Sequence, residues 1–216
     1  MRIFKAYIVT IVCSIVCSMF FTLNASAQKI DTIFAHVPHE VLPLLDNTSR
    51  LDMIDLYNNK MSAAAENVYG GQSVMEEKTN DYISIKLTDV SHWQLKLLPM
   101  AHDTLYACVH SIVALGTSST LNIYKKDWHV AKVDVPQIKF EHFLTSKELA
   151  QQSKYHELIE ILRNTPITIK LDKDDYTLTY SLSKESLPKE LKDMANKVVK
   201  DITYRWQLGK FILVTK

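Results

Sequence analysis

The chain opens on one long apolar run, passes into helical spacing, and then into two-residue alternation. Behind Arg2 and Lys5, the positions from Ala6 to Leu23 are mostly apolar. The stretch from Ile30 to Asp46 is apolar again, with Pro38 placed to open a short helix and Pro43 to limit it. Leu51, Ile54 and Met61 then recur at helical spacing, widened by Leu56 and Tyr57. Ser49 is placed to cap this helix, and Asp52 sits near its positive end. The pattern predicts that the helix fades between Met61 and Asn67, before a turn at Gly70-Gly71. From Tyr82 to Leu87 the period becomes two, as in a half-buried strand. Trp93, Leu95 and Leu97 alternate in a second strand closed by Pro99. Thr104 to Ala114 reads as a longer strand, and Gly116 with Ser118-Ser119 turns it into Leu121 to Tyr124. A polar turn, Lys125 to Asp127, precedes a further predicted strand from Trp128 to Val133.

The second half repeats the alternation of elements. Ser146 is placed to cap a helix whose apolar face is Leu149, Tyr155, Leu158, Ile159 and Leu162, ended by Asn164-Thr165-Pro166. Ile167 to Leu171 and Tyr176 to Leu182 form a hairpin across Asp172 to Asp175. Leu191, Met194, Ala195 and Val198 mark a shorter helix, and strands at Ile202 to Trp206 and Lys210 to Val214 finish the chain around Gly209. Sequential strands, short polar turns and no long crossovers predict an α+β fold of antiparallel meander sheets with helices packed on one side. Ile83-Ser84-Ile85-Lys86-Leu87 echoes Ile167-Thr168-Ile169-Lys170-Leu171, and each is followed by a tyrosine and a tryptophan, Tyr124/Trp128 and Tyr204/Trp206. One reading is a single domain, residues 28–216, built of two similar helix-plus-meander halves, 46–135 and 146–216. The other is that amphipathic strands favour these residues in any case.

The opening run changes the picture most. Its basic start, apolar middle and Ala25-Ser26-Ala27 ending have the form of a signal peptide, residues 1–27, cleaved before Gln28. The expected product is exported, periplasmic or extracellular. An uncleaved anchor is the alternative. Lipidation at Cys13 or Cys17 is disfavoured because Val12 and Val16 are not small and both cysteines lie inside the run. Loss of Arg2 and Lys5 takes 25 basic residues to 23 against 24 acidic, and the formal net charge from +1 to −1. Such a chain has no bulk attraction for nucleic acid, and the mature sequence has no further segment long and apolar enough to span a membrane. Cys108 is then the one cysteine left; it cannot form an intrachain disulfide and reads as a buried small hydrophobe. Four glycines in all, with no G-x-G-x-x-G, Walker loop or G-x-S-x-G, argue against nucleotide and nicotinamide cofactors; none is expected.

Candidate chemistry is sparse. His36-x-x-His39 and His102-Asp103 do not by themselves make a zinc site, and there is no H-E-x-x-H, so no metal is expected. Asp172, Asp174 and Asp175 lack the glycine and fifth ligand of a calcium loop and read as a solvated turn. Asp52 and Asp55 are three apart on one helix, so acid–base work is conceivable if one is buried. The simpler reading gives Asp52 to the helix start and Asp55 to the backbone of the 67–71 loop. Trp93, Trp128 and Trp206 are the candidate ligand-binding residues, as a stacking face for a sugar or peptide, against the plainer reading that strand aromatics are core.

Arg50-Leu51-Asp52-Met53-Ile54-Asp55, Gly70-Gly71, Asp81-Tyr82-Ile83, Lys96-Leu97-Leu98-Pro99 and the terminal Tyr204-x-Trp206…Gly209-Lys210-Phe211 stand in an order that resembles a family of secreted proteins of Bacteroides-type bacteria, domain of unknown function 3256. The resemblance spans the mature chain. It implies a Gram-negative envelope location and no assigned activity, and it carries no catalytic residue to transfer. By elimination the expected function is a non-catalytic binding or interaction module for an envelope protein, peptide or glycan. A secreted hydrolase with a dispersed catalytic site is the alternative, and a structural or assembly component a third.

Overall fold

A computed structural model describes residues 30–214. The expected signal peptide, residues 1–27, lies outside them. A helix α1 (residues 30–35) and a run of turns lead to α2 (Asn47–Asn58). Six strands follow in unbroken sequence: β1 (Ala64–Glu66), β2 (Gln72–Lys78), β3 (Tyr82–Thr88), β4 (Ser91–Pro99), β5 (Thr104–Val113) and β6 (Thr117–Tyr124). They pair antiparallel in the order of the chain. After two short helical turns, α3 (Phe140–Phe143) and α4 (Lys147–Ala150), a 3₁₀ turn leads into α5 (His156–Arg163). A second meander of β7 (Ile167–Leu171), β8 (Thr177–Leu182), β9 (Ile202–Gln207) and β10 (Lys210–Leu213) completes the fold, with α6 (Lys189–Val198) inserted between β8 and β9. The architecture is the α+β arrangement of antiparallel meanders with helices that the spacing predicts.

Alternation explains how the large sheet holds the molecule together. Side chains along a strand point to opposite faces. Ile83, Ile85 and Leu87 of β3, Trp93, Leu95 and Leu97 of β4, and Tyr106 and Cys108 of β5 enter one core with Ile30, Phe34, Leu42, Leu45 and Met53. Tyr82, Leu98, Leu105, Ala107, Val109 and Ile123 enter the other, against α3, α5, α6 and the small sheet. Both faces of one sheet are therefore buried, under α1 and α2 on the first and under the C-terminal layer on the second. The second contact carries polar ties. Lys96, with a side chain only 2% exposed, donates to Asp81 Oδ1 at 3.2 Å and to the Lys173 carbonyl at 2.9 Å. Gln94 Oε1 accepts from the Leu171 N–H at 3.0 Å, and Trp206 Nε1 donates to the Pro99 carbonyl at 2.7 Å.

Several local expectations are corrected. The first helix precedes Pro38, which instead nucleates a turn: the N–H groups of Val41 and Leu42 both reach its carbonyl. The cap of α2 is Asp46, whose carboxylate accepts from the Ser49 N–H at 2.7 Å; that bond holds its carboxyl below the usual range. α2 stops at Asn58, and the stretch expected to be fading helix contains β1, which pairs with β2. β2 was hidden from a period-two reading by a bulge between Met75 and Glu77. Beyond the bulge Lys78 faces the first core and meets Asp31 at 2.6 Å. No regular strand runs from Trp128 to Val133; Trp128 takes φ +61°, only Val130 bridges back to Tyr124, and the Val133 N–H turns to the Ala131 carbonyl. The helix capped by Ser146 is broken after Ala150.

The two proposed halves share sequential strand order but differ in connection. β3 has neighbours on both sides, whereas β7 is an edge strand of its sheet. β4 and β5 are joined by residues 100–103, while β8 and β9 are joined through α6.

Candidate functional site

The floor of an open cavity is the outer part of the first face. Cross-strand registry places side chains there in rows. Trp93, His110 and Thr120 make one row across β4, β5 and β6; Leu95, Cys108 and Asn122 make the next; Leu97, Tyr106 and Tyr124 make the third. The N-terminal cover reaches only part of these rows. The Glu40–Leu44 segment forms the opposite wall, and between them lies an open cavity of about 260 Å³. Leu42, Leu44, Leu87 and Trp93 give it an apolar base, and Glu40, His110, Thr120 and Asn122 give it polar groups at the mouth. An apolar pocket with a few convergent polar groups is the usual form of a small-ligand or side-chain site.

The electrostatics of the floor are set by burial. His110 is half-buried, and desolvation lowers its pKa, so the imidazole is neutral at neutral pH. Its Nε2 lies 2.8 Å from Ser91 Oγ. The Cys108 thiol is fully buried and pushed far above its ordinary range, so it contributes bulk and not nucleophilicity. Behind Tyr124, the left-handed backbone at Trp128 folds the indole onto Tyr106 and Tyr124, with ring centroids 5.0 and 5.7 Å away.

The three tryptophans do not share a surface. Trp93 is 2% exposed in the first core, facing Phe34; Trp206 is 3% exposed in the second, edge-on to Phe211. Trp128 is half-buried against the tyrosines. Trp93 alone lines the cavity, with Tyr124 between it and Trp128. Asp52 and Asp55 lie on the exposed side of α2, away from the cavity. Asp55 accepts from Asn59 Nδ2 at 3.1 Å and does not reach the 67–71 loop. That loop is organised by Asn67 instead. Its Oδ1 accepts from the N–H groups of Tyr69 and Gly71, and its Nδ2 reaches the Leu87 carbonyl. Asp172 and Asp175 accept from backbone N–H groups of their own turn. Among the described residues no three His, Cys, Asp or Glu side chains converge as metal ligands would.

His110, Thr120, Asn122 and Glu40 were not singled out by the sequence. The signal available was weak: Thr120-x-Asn122 and His110 are polar residues at alternate positions of predicted strands, and nothing in the sequence pairs them.

Two antiparallel meanders, the larger covered on both faces except along the cavity, define an α+β protein. The chain matches a solved domain of an uncharacterised protein from Porphyromonas gingivalis W83 with a TM-score of 0.69 at 20% identity, over 87% of this chain and 98% of that one. The family described as protein of unknown function (DUF3256) matches residues 22–211, and the chain belongs to that family. No curated protein matches it. Among the described residues no helix is long and apolar enough to cross a membrane.

Proposed function

We propose that this protein is an exported envelope module that binds a partner non-catalytically, through the cavity between Glu40–Leu44 and the outer rows of the large sheet. The observation that carries the reading is the cavity itself. Its size suits one side chain or a comparably small group, its base is apolar, and its polar groups are few and converge at the mouth. The basic start, apolar run and Ala25-Ser26-Ala27 support export. The test is affinity capture from envelope extract with the mature chain and with Thr120→Trp, which fills the mouth from an exposed position. A stoichiometric partner retained by the first and lost by the second supports the reading; equal retention counts against it.

One observation favours a second reading, hydrolysis. The Ser91 hydroxyl bonds a neutral imidazole, which is the first half of a serine–histidine catalytic arrangement. Against it, Ser91 is buried, and among the described residues no carboxylate orients the other ring nitrogen. Labelling of the wild type by a fluorophosphonate, abolished in Ser91→Ala, would establish the enzyme; the binding reading expects no labelling.

A further inference from the structure

β6 is the edge strand of its sheet; β7 packs against its start, and beyond that its outward backbone groups are unpaired over a defined length. Within a strand, the N–H and C=O of alternate residues point to the same side. On β6 the odd-numbered residues point away from β5. The Thr117 N–H donates to Ser183 Oγ at 2.7 Å, the Ile123 carbonyl accepts from the Ala131 N–H at 2.8 Å, and the Lys125 N–H donates to the His129 carbonyl at 2.9 Å. Between these ties lie Ser119 and Leu121, whose outward N–H and C=O groups have no partner among the described residues. The other sheet edges are guarded differently. β1 is three residues long and β10 four, and β7 packs across β4, β5 and the start of β6, with its Leu171 N–H taken by Gln94. β6 is eight residues long, unbulged, and free of charge and proline, which is an edge that invites pairing.

We infer that this gap takes an extended peptide segment of a partner protein, which adds to β6 as a short antiparallel strand and sends one side chain into the cavity. The inference rests on the binding reading above and specifies its ligand. The register is fixed by the ties at either end. The peptide residue opposite Thr120 makes no backbone bond to β6; its two neighbours exchange N–H and C=O bonds with Ser119 and Leu121, four in all. Thr120 and Asn122 face the cavity, so the side chain of the central peptide residue falls on that face, beside Thr120 and His110. A second copy of this chain is a poor occupant, because its own β6 would meet the Ala131 segment at one end and Ser183 at the other. The charged group lining the cavity is the carboxylate of Glu40, and His110 is held neutral, so the central side chain should be apolar or uncharged polar and not acidic.

The probe is a set of blocked pentapeptides, acetyl-Val-Thr-X-Thr-Val-amide, with X as Leu, Gln or Glu, titrated into the isotopically labelled mature protein and followed by NMR. The expected result is slowed exchange of the Ser119 and Leu121 amides, with the Leu or Gln peptide bound at least tenfold more tightly than the Glu peptide. N-methylation of the peptide amides that face β6 should abolish binding without any change in the protein. Ser119→Pro removes an outward N–H and the side-chain bond to Ser111 Oγ, but no backbone bond to β5, and should weaken binding likewise, whereas Ser119→Ala, which loses the side-chain bond alone, should not. Shifts confined to cavity side chains, with unchanged Ser119 and Leu121 amides, would overturn strand addition and leave the cavity reading standing. Binding that tolerates N-methylation would overturn it too. A partner captured in a Thr120-dependent way but unaffected by Ser119→Pro would separate the two readings in the same sense.

Discussion

On its first face the six-stranded sheet is covered by the segment that immediately precedes it in the chain; on its second it is covered by a layer that follows. The two covers are held by different means. α1, the 36–46 turns and α2 lie on Ile83, Ile85, Trp93 and Leu95 through apolar contact, and their polar ties, Lys78 to Asp31, Ser49 Oγ to the Glu66 carbonyl and the Val68 N–H to the Leu44 carbonyl, reach β1, β2 and their loop but none of the central strands. The C-terminal layer buries Phe143, Leu162 and Leu178 in the same way, but it is also positioned by hydrogen bonds from β4 side chains, Gln94 and Lys96, and by Trp206. Apolar burial is strong and non-directional, whereas hydrogen bonds add little net energy and much geometric definition. The first cover is therefore tied at the β1–β2 side of the sheet, and it stops short of β6. The uncovered strip is where the cavity opens. The second cover is registered against β4 and closes its face.

The sharpest test of this contrast is to empty each core. Phe34→Ala and Phe143→Ala each remove a fully buried ring and should each cost about 3–5 kcal/mol. Because both cores share β3, β4 and β5, denaturant unfolding should remain a single transition in both variants. A separate early transition in Phe34→Ala would show that the N-terminal cover unfolds by itself, and the shared-sheet argument would fail.

Next in size is Asn67→Ala, expected to cost about 1–3 kcal/mol, because it strands the N–H groups of Tyr69 and Gly71, while the Leu87 carbonyl keeps its bond from Ser73 Oγ. Chemical denaturation measures it; a change below 0.5 kcal/mol, on the order of ordinary surface substitutions, would mean that water replaces the asparagine. Lys96→Met should cost about 1–3 kcal/mol. It removes the donor to Asp81 and to the Lys173 carbonyl while keeping much of the side-chain volume. Its distinguishing sign is local: hydrogen exchange should quicken at β7 and its turn before it changes in α1 or α2. Uniform quickening would refute the idea that the Lys96 bonds register the second cover.

The sequence made the central meander readable because β3 and the first part of β4 alternate, β5 is a continuous apolar run, and the strands end on Pro99, Gly116 and polar turns. It concealed β1, which is too short to show a period, and β2, whose bulge shifts the alternation so that Lys78 points inward. The break after Ala150 was equally hidden, since the apolar spacing continues through it from Leu149 to Tyr155 and Leu158. The cavity was harder still. Its floor is assembled by registry across three strands, and a single chain displays no registry. Trp93, Trp128 and Trp206 look alike in sequence, yet alternation and a left-handed turn send them to three environments. Asp55 looked enclosed because its neighbours are apolar, but on a helix those neighbours face the other way.

The smallest effect expected is the one that reports on the open strip itself. Burial lowers the pKa of His110 in the folded protein below the ordinary value of 6.5. Above that value neither the folded nor the unfolded chain holds the proton, so the group has no effect on stability. As pH falls below it, the unfolded chain takes up the proton first, and stability declines until the folded pKa is also passed. The melting temperature should therefore fall slightly between pH 7 and pH 5 in the wild type, and that part of the decline should vanish in His110→Gln. The carboxylates held low by their hydrogen bonds, such as Asp46, act only at lower pH and do not confuse the window. A ligand seated over Thr120 would bury the imidazole further and steepen the decline. A slope that is the same in wild type and His110→Gln would mean that water reaches the imidazole freely, and that the first cover leaves the strip more open than the cavity walls imply.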